Sequence, residues 1–386
     1  MTTWLLPDNI ADVLPRQART MESMRRTCLD LFQANGFELV QPPMIEFVDS
    51  LLTGTGTDLD RNTFKFMDQA NGRMIGVRAD ITPQAARIDA HILNRSGISR
   101  LCYAGSCLHA KPMHPLASRE PFVAGAELFG AADLEADIQM LRLAVKTLRQ
   151  LGLPEVHLDL GHMGVVRALL DRQDLSDGVL ADVLSALKHK DGTALDRVEG
   201  VSDEIRRALH VLLVNFGDAS VLDALRRDLP ADSAIERALD EIETVSRCAG
   251  ADSVSFDFCD VHGYQYLTGL SFSVHIPQDA KAILRGGRYD NVGLAFGRSR
   301  PACGFSIYLR ALAAVAELEV PAASIVITRG SYDPAIESII DTLREQGKTV
   351  VRLLPGESVD ALKEQFNITH ELVRTQNSYE LKALGC

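Results

Sequence analysis

The sequence predicts an α+β protein: an antiparallel sheet flanked by helices, a helical insertion and a small C-terminal α/β unit. Apolar alternation and turn signals mark short strands on both sides of a helical stretch at about 163–250. Beyond residue 320 a strand, a helix and a second strand follow in the order of a parallel βαβ unit. Because the strands before residue 320 do not alternate with helices, the core is not a doubly wound sheet.

Composition limits the class of protein. The chain has 386 residues, 46% hydrophobic and 24% charged, with a net charge of −12. No basic cluster with interleaved aromatic residues is present, which argues against nucleic acid as the main partner. No apolar run approaches the roughly 18 residues of a membrane span, and the N-terminus has no signal-peptide pattern. Seven cysteines without a CxxC pair predict reduced thiols in the cytoplasm and no metal site, and no cofactor is predicted.

The first half of the chain carries clear element signals. Apolar residues at helical spacing predict a helix over 18–34, with Gly36 as its C-terminal cap. Two strands at 63–68 and 73–78 form a hairpin, and a helix follows to about residue 95. We expect Thr82 to be the N-cap of that helix, with Pro83 at its first position. Further strands are expected at 100–104 and 121–129, and an amphipathic helix at 133–151.

The second half returns to strands after the helical stretch. A strand is expected at 156–160, and others at 254–260, 269–276 and 281–285. The segment 284–290 (Leu-Arg-Gly-Gly-Arg-Tyr-Asp) is interpreted as a tight glycine turn that presents Arg288, with Arg310 following. Planar guanidinium groups at such positions suit phosphate or carboxylate recognition, although solvated arginines beside an ordinary turn are an equal alternative. The C-terminal unit should contain a strand at 324–328, a helix at 334–346 and a strand at 348–353.

Six motifs in order resemble the catalytic core of histidyl-tRNA synthetase, a class II aminoacyl-tRNA synthetase. They lie at 12–15, 43–46, 53–58, 78–82, 264–269 and 286–290. The resemblance covers about residues 5–320 and places the helical stretch at the family's insertion position. It implies a class II aminoacyl-tRNA synthetase-like sheet, and a dimer whose first motif builds the two-fold interface.

Departures from that family fall on its adenylation residues. Where the family has Phe-Arg-x-Glu, this chain has Leu-His-Ala-Lys at 108–111, which puts His109 and Lys111 in place of an arginine and an acid. Where the family has Arg-Gly-Leu-Asp-Tyr-Tyr-Thr-Gly, residues 262–269 begin with His262 and have Leu267 in place of the second tyrosine. The resemblance therefore implies a degenerate adenylation site, of which Arg288 and Arg310 survive.

The residues retained are those on the amino-acid side of the family's site. The resemblance implies a histidine-like pocket formed by Asp80, Thr82, Arg119, Glu127, Tyr264 and Tyr266. Carboxylates are the appropriate partners for an ammonium or an imidazole. The alternative is that Asp80 and Thr82 only cap a helix and that Glu127 is a structural ion-pair partner.

This combination resembles the ATP phosphoribosyltransferase regulatory subunit family, which is paralogous to histidyl-tRNA synthetase. The resemblance implies a non-catalytic subunit, required for the activity of a short catalytic subunit and for feedback inhibition by histidine in the first step of histidine biosynthesis. It also implies a homodimer within a hetero-octamer, and leaves open whether histidine occupies the old aminoacyl pocket or an interface. Residues 323–386 then correspond to a truncated anticodon-binding-like domain. The alternatives are an active histidyl-tRNA synthetase or related ligase and, last, an RNA-binding scaffold.

Overall fold

The computed structural model describes residues 4–53, 57–112, 115, 117–276, 279–315, 325–329, 333–375 and 378–384. The chain divides into two compact units, Met1–Leu318 and Glu319–Cys386. The middle of the predicted motif at 53–58, and the predicted domain boundary at 320–323, lie outside the described residues. In the described part of the chain, no helix is long and apolar enough to cross a membrane.

The larger unit contains twelve of the α-helices that the structure describes, which include those predicted at 18–34, from residue 82, at 133–151 and in the helical stretch. They are α1 Pro15–Ala34, α2 Val48–Leu51, α3 Thr57–Asn62, α4 Thr82–Arg87, α5 Leu134–Gln150, α6 Met163–Leu170, α7 Asp177–Lys188, α8 Gly192–Arg197, α9 Asp203–Val214, α10 Ser220–Asp228, α11 Ser233–Cys248 and α12 Leu309–Leu312. A π-helical segment, Ile88–Leu93, continues α4, and a 3₁₀ helix spans Val292–Phe296. The helical insertion is thus α6 to α11.

Eleven strands are described in the same unit and form two sheets. They are β1 Glu38–Leu39, β2 Ile45–Phe47, β3 Phe64–Met67, β4 Met74–Val77, β5 Ser99–Ser106, β6 Phe122–Phe129, β7 His157–His162, β8 Ser253–Phe256, β9 Leu270–Ile276, β10 Asp279–Arg288 and β11 Ala302–Tyr308. The main sheet has the order β1-β5-β6-β11-β10-β9-β7-β8, antiparallel from β5 through β7 and parallel at both edges. The hairpin of β3 and β4, extended by β2, forms the second sheet.

One face of the main sheet packs against helices, and the other carries the site described below. We call them the helix face and the pocket face. On the helix face, α1 buries Met24, Cys28 and Phe32 at the apolar spacing that predicted the helix. The ring of Phe32 meets that of Phe305 on β11 edge-on, with centroids 5.8 Å apart. Helix α5 packs beside α1 over β6, β11 and β10.

The predicted glycine turn at 284–290 is wrong, because residues 284–287 are paired on both sides within β10, and Arg288 is still paired with β11. The glycines are needed for close packing inside the sheet instead. A Cβ on Gly286 would lie 2.3 Å from Cζ of Phe272 and 2.6 Å from the carbonyl oxygen of Gly304. A Cβ on Gly287 would lie 2.5 Å from the carbonyl oxygen of Leu270. Close backbone approach is the other circumstance in which a strand requires glycine.

The smaller unit is a four-stranded sheet with two described helices. Its elements are β12 Ile325–Thr328, α13 Pro334–Glu345, β13 Thr349–Arg352, α14 Val359–Gln365, β14 Ile368–Arg374 and β15 Tyr379–Ala383. The sheet order is β13-β12-β14-β15, and β12 and β13 are parallel, which confirms the predicted βαβ unit. Helix α13 buries Ile336 and Ile340 in a core of the unit's own.

Candidate functional site

A buried carboxylate, that of Glu127, lies at the centre of the pocket face. Glu127 is on β6 opposite Gly304 of β11, and its side chain is 1% exposed. It can lie flat on the sheet only because residue 304 has no side chain: a Cβ there would be 1.6 Å from Oε2 of Glu127. The glycine in β11 therefore provides the space that the carboxylate occupies.

Three hydroxyl groups donate hydrogen bonds to this carboxylate. Thr82 Oγ1 and Tyr103 Oη donate to Oε1, at 2.9 and 2.8 Å, and Tyr289 Oη donates to Oε2. Tyr103 also contacts Ser306 Oγ at 2.9 Å. Among the described residues, no lysine, arginine or histidine pairs with Glu127, so the prediction that it might be a structural ion-pair partner finds no such partner here.

Burial sets the protonation behaviour of Glu127. Desolvation raises the pKa of its carboxyl from 4.5 to about 7, although the hydrogen bonds from Tyr289, Tyr103 and Thr82 oppose the rise. The charge of Asp80 adds to it. A carboxyl group that ionises near neutral pH, in an apolar and hydroxyl-lined site, is suited to a ligand that brings a proton donor or a positive charge.

The beginning of α4 supplies two of the predicted residues. Ile81 is the N-cap of α4 and makes no side-chain capping bond, so the prediction that Thr82 is the cap is wrong. Instead Asp80 Oδ1 accepts hydrogen bonds from the backbone N–H groups of Ile81 and Thr82, at 2.6 and 3.1 Å. The hydroxyl of Thr82 is thereby directed to Glu127, and Asp80 remains half-buried beside it.

An arginine that the sequence did not mark, Arg285, also lies on the pocket face. It sits on β10 opposite Ser306, and its Nη1 contacts Oδ2 of Asp260 at 2.9 Å. Oδ1 of the same carboxylate bonds Nδ1 of His262. Burial opposes ionisation of Asp260, but His262 and Arg285 outweigh it and lower the pKa of that carboxyl. Charges acting on the partly exposed Tyr266 include those of Asp80, Arg285 and Glu127.

Arg288 faces the opposite side of the sheet from Glu127. Its Nε and Nη2 contact Asp137 of α5 at 2.8–3.1 Å, and its Nη1 contacts Asp290 at 3.1 Å. The side chains of Arg288 and Asp137 are 10% and 4% exposed. The structure therefore does not bring Arg288 to the pocket, because alternate residues of a strand point to opposite faces.

Three more predicted residues tie the N-terminal segment to the core. Arg119 Nε donates to the carbonyl oxygen of His109 at 3.0 Å, and its guanidinium lies 4.9 Å from the Phe64 ring. The buried ring of His109 contacts the carbonyl oxygen of Ala79 through Nε2 at 3.1 Å. Arg310 donates to Glu120 at 3.1 Å and to the carbonyl oxygen of Ala11 at 2.5 Å.

The last two predicted residues lie apart from Glu127. Lys111 is exposed, and its backbone N–H meets Asn62. Tyr264 is buried beneath the guanidinium of Arg167 from α6, 4.3 Å from the ring centroid. Thus, of the predicted set, the structure brings together Asp80, Thr82, Glu127, Tyr266 and His262, whereas Arg119, Tyr264, His109, Lys111, Arg288 and Arg310 make other contacts.

Comparison with known proteins gives the family. A model described as histidyl-tRNA synthetase matches residues 9–312, and one described as the ATP phosphoribosyltransferase subunit HisZ C-terminal domain matches residues 323–382. A protein of Ralstonia pickettii (strain 12J) named ATP phosphoribosyltransferase regulatory subunit is 46% identical over 382 residues, covering 99% of this chain and 98% of the relative. The chain belongs to the ATP phosphoribosyltransferase regulatory subunit family. A member from Janthinobacterium sp. (strain Marseille) is 45% identical over the full length of both chains.

Solved structures confirm the class II synthetase-like fold of this regulatory subunit family member. A crystal structure described as an ATP phosphoribosyltransferase regulatory subunit/histidyl-tRNA synthetase from Bacillus halodurans has a TM-score of 0.82 at 24% identity, covering 94% of this chain and 97% of its own. Histidyl-tRNA synthetase from Nostoc sp. PCC 7120 has a TM-score of 0.77 at 17% identity, covering 97% and 92%. The C-terminal match favours the regulatory subunit over the synthetase interpretation.

Sequence reasoning on this regulatory subunit missed the residues that surround Glu127. Tyr103 is on β5, Gly304 and Ser306 are on β11, and Tyr289 directly follows β10, 162 residues from Glu127. A signal existed for one of them, since Tyr289 belongs to the 286–290 motif. Arg285 directly precedes the two glycines of that motif but was not assigned a role.

Proposed function

We propose that this chain is a non-catalytic regulatory subunit that binds free histidine beside Glu127 and controls a separate ATP phosphoribosyltransferase catalytic chain. The observation that carries the proposal is the Glu127 carboxylate, buried among three hydroxyl donors with no cationic partner among the described residues. An imidazole N–H, or an imidazolium, would satisfy that carboxylate. Asp80, whose carboxylate is half-buried nearby, is suited to an α-ammonium group.

The contacts of the residues at the adenylation positions support a non-catalytic role. Adenylation requires cationic groups directed at the reacting phosphate, and each such group contributes orders of magnitude in rate. His109 contacts a backbone carbonyl, and the side chain of Lys111 is exposed. Arg288 is held by Asp137, and Arg310 by Glu120 and Ala11. These contacts support the inference that the adenylation site is degenerate.

The regulatory mechanism is a linkage between histidine and the catalytic partner. Histidine at the pocket and the short catalytic chain at another surface favour different quaternary states, so that each changes the other's effect. The name of these relatives, ATP phosphoribosyltransferase regulatory subunit, supports the existence of such a partner. We propose an assembly of four regulatory and four catalytic chains in the cytoplasm, with regulatory homodimers inside it, and mass measurement of the mixture by light scattering tests that ratio.

Reconstitution with a short-form ATP phosphoribosyltransferase tests the function. We expect the chain to raise turnover and to make it sensitive to histidine. In Glu127→Gln the rise in turnover should remain, while half-inhibition should need about 10- to 100-fold more histidine, because a charge-assisted hydrogen bond is lost. Glu155→Gln, at an exposed glutamate between α5 and β7, is the matched control. Turnover that the chain does not change, with or without histidine, contradicts the proposal.

The competing function, histidine activation for tRNA charging, has its own readout. It requires histidine-dependent exchange of pyrophosphate into ATP, and we expect none above background. Exchange at synthetase-like rates would reverse the assignment. We further propose that residues 1–320 are the synthetase-like core and that residues 323–386 are a truncated anticodon-binding-like domain without tRNA binding.

A further inference from the structure

The pocket face carries more negative than positive charge around the place where an amino acid would lie. The charge of Asp80 acts on Glu127, and the charges of both carboxylates act on Tyr103. Asp80 also acts on Tyr308, whose pKa burial raises to about 12. An α-carboxylate entering such a site is repelled unless a cation receives it, because like charges in a poorly solvated site disfavour each other.

Most arginines near the motifs bond to partners outside the pocket. Arg288 lies on the helix face with Asp137. Arg310 and Arg119 are bonded to backbone carbonyls of the N-terminal segment and the loop before β6. Arg167 donates to the carbonyl oxygens of Tyr264 and Leu267. Each of these groups is thus held away from Glu127 by its own partners.

Arg285 differs from these in position and in pairing. It stands one strand from Ser306, whose hydroxyl contacts Tyr103, and Tyr103 donates to Glu127. Arg285 is level with Gly125, two residues along β6 from Glu127 and two strands away. The two backbones are therefore roughly 12 Å apart, a distance that two long side chains and a small amino acid can span. Its hydrogen bonds among the described residues use only Nη1, and the side chain is 32% exposed.

Asp260 orients this guanidinium. Its two oxygens bond Nη1 of Arg285 and Nδ1 of His262, so one carboxylate holds both side chains at the same edge of the pocket. The arginine head is thereby held on one side, while Nε and Nη2 keep their donors for a second acceptor. Arginine presents donors in a planar fork that matches a carboxylate.

We propose that Arg285 is the specificity-determining residue that receives the α-carboxylate of the amino acid whose imidazole is bound by Glu127. This assignment rests on the proposed histidine pocket. Three residues then bind the ligand: Glu127 binds the imidazole, Asp80 the ammonium and Arg285 the carboxylate. Histamine, which has the imidazole and the amine but no carboxylate, separates the third point from the other two.

The experiment is calorimetric titration of the full chain with histidine and with histamine. The variants are Arg285→Gln, Arg285→Lys and the control Arg207→Gln, at an exposed arginine on α9. We expect the wild type to prefer histidine, and Arg285→Gln to weaken histidine about 10- to 100-fold while changing histamine less than about 2-fold. Arg285→Lys should recover part of the preference, since it keeps the charge without the fork.

The outcomes separate this inference from the function on which it rests. Retained histamine binding shows that Arg285→Gln is folded. If that variant keeps the wild-type preference for histidine, or binds both ligands more weakly by the same factor, Arg285 does not bind the carboxylate. The histidine pocket itself is not contradicted by either result. If the wild type binds neither ligand, or if Glu127→Gln binds histidine as the wild type does, the histidine pocket is overturned together with the role of Arg285.

Discussion

At the scale of single residues, the site depends on which face of the main sheet Glu127 and Arg288 occupy. Within the part of the chain that the structure describes, no cation pairs with the buried Glu127, whereas Arg288, one of the expected site arginines, is buried with its own anion on the other face. Sequence motifs indicate both segments, but they predict a turn where Arg288 lies in a strand. They could not assign the face, because a change of one position along a strand exchanges pocket and core.

Glu127 should make stability depend on pH in an unusual direction. Its pKa is about 7 in the folded chain against an ordinary 4.5, so the folded state binds the proton more tightly. The stabilisation is complete below about pH 4.5 and is lost as pH rises through 7, by about 3 kcal/mol. Urea unfolding of Glu127→Gln and wild type from pH 4.5 to 8 checks this, and the free-energy difference should shift toward the variant by that amount. A difference that stays constant over this range contradicts it.

Asp137 should be important to stability because it is the more deeply buried of the two carboxylates that pair with Arg288, the other being Asp290. Removing one partner of a buried pair leaves an uncompensated charge, which costs about 3 to 5 kcal/mol. We expect Asp137→Ala to lower the free energy of unfolding by that amount. The exposed Asp182→Ala on α7 should change it by less than about 0.5 kcal/mol. A small effect of Asp137→Ala would show that the pair is solvated.

At the scale of elements, the periodicity of apolar residues predicts the helices, which depend on neighbouring residues. It does not predict features that depend on contacts between residues far apart in the sequence. The helices α1, α5 and α13 follow from apolar spacing and end signals. The Gly286–Gly287 pair was interpreted as a turn because glycine permits both turns and close strand contacts. Only the positions of Phe272 and Leu270 decide between the two, and no local pattern contains them. The hydrogen bonds from the hydroxyl groups of Tyr103 and Tyr289 to Glu127 could not be predicted for the same reason.

Alanine in that strand should be far more damaging than alanine in a helix. Gly286→Ala places a Cβ against Phe272 and a backbone oxygen, and we expect a loss of at least about 2 kcal/mol or no soluble protein. Gly178→Ala in α7 meets nothing within 4 Å and should gain about 0.5 to 1 kcal/mol. Thermal unfolding of both proteins measures the contrast. Equal effects would mean that β10 relaxes around the added methyl group.

At the scale of the whole molecule, each of the two units has hydrophobic clusters of its own among the described residues. Under the proposed function, linkage requires reciprocity. If histidine changes the affinity for the catalytic chain by some factor, the catalytic chain must change the affinity for histidine by the same factor. Calorimetry of histidine with and without the partner, beside partner titrations with and without histidine, checks the equality. Unequal factors would reveal a second histidine site in the assembly.

The missing side chain at position 304 has a practical consequence. The carboxylate of Glu127 occupies the volume that any other residue would fill, so a single methyl group at Gly304 displaces it without adding or removing a charge. Under the proposed function, Gly304→Ala is a substitution that selection for histidine overproduction could find, because it would make the subunit resistant to feedback inhibition. A Cβ at position 304 also lies 2.8 Å from the carbonyl oxygen of Ala126, so the free energy of unfolding of Gly304→Ala has to be measured beside its response to histidine.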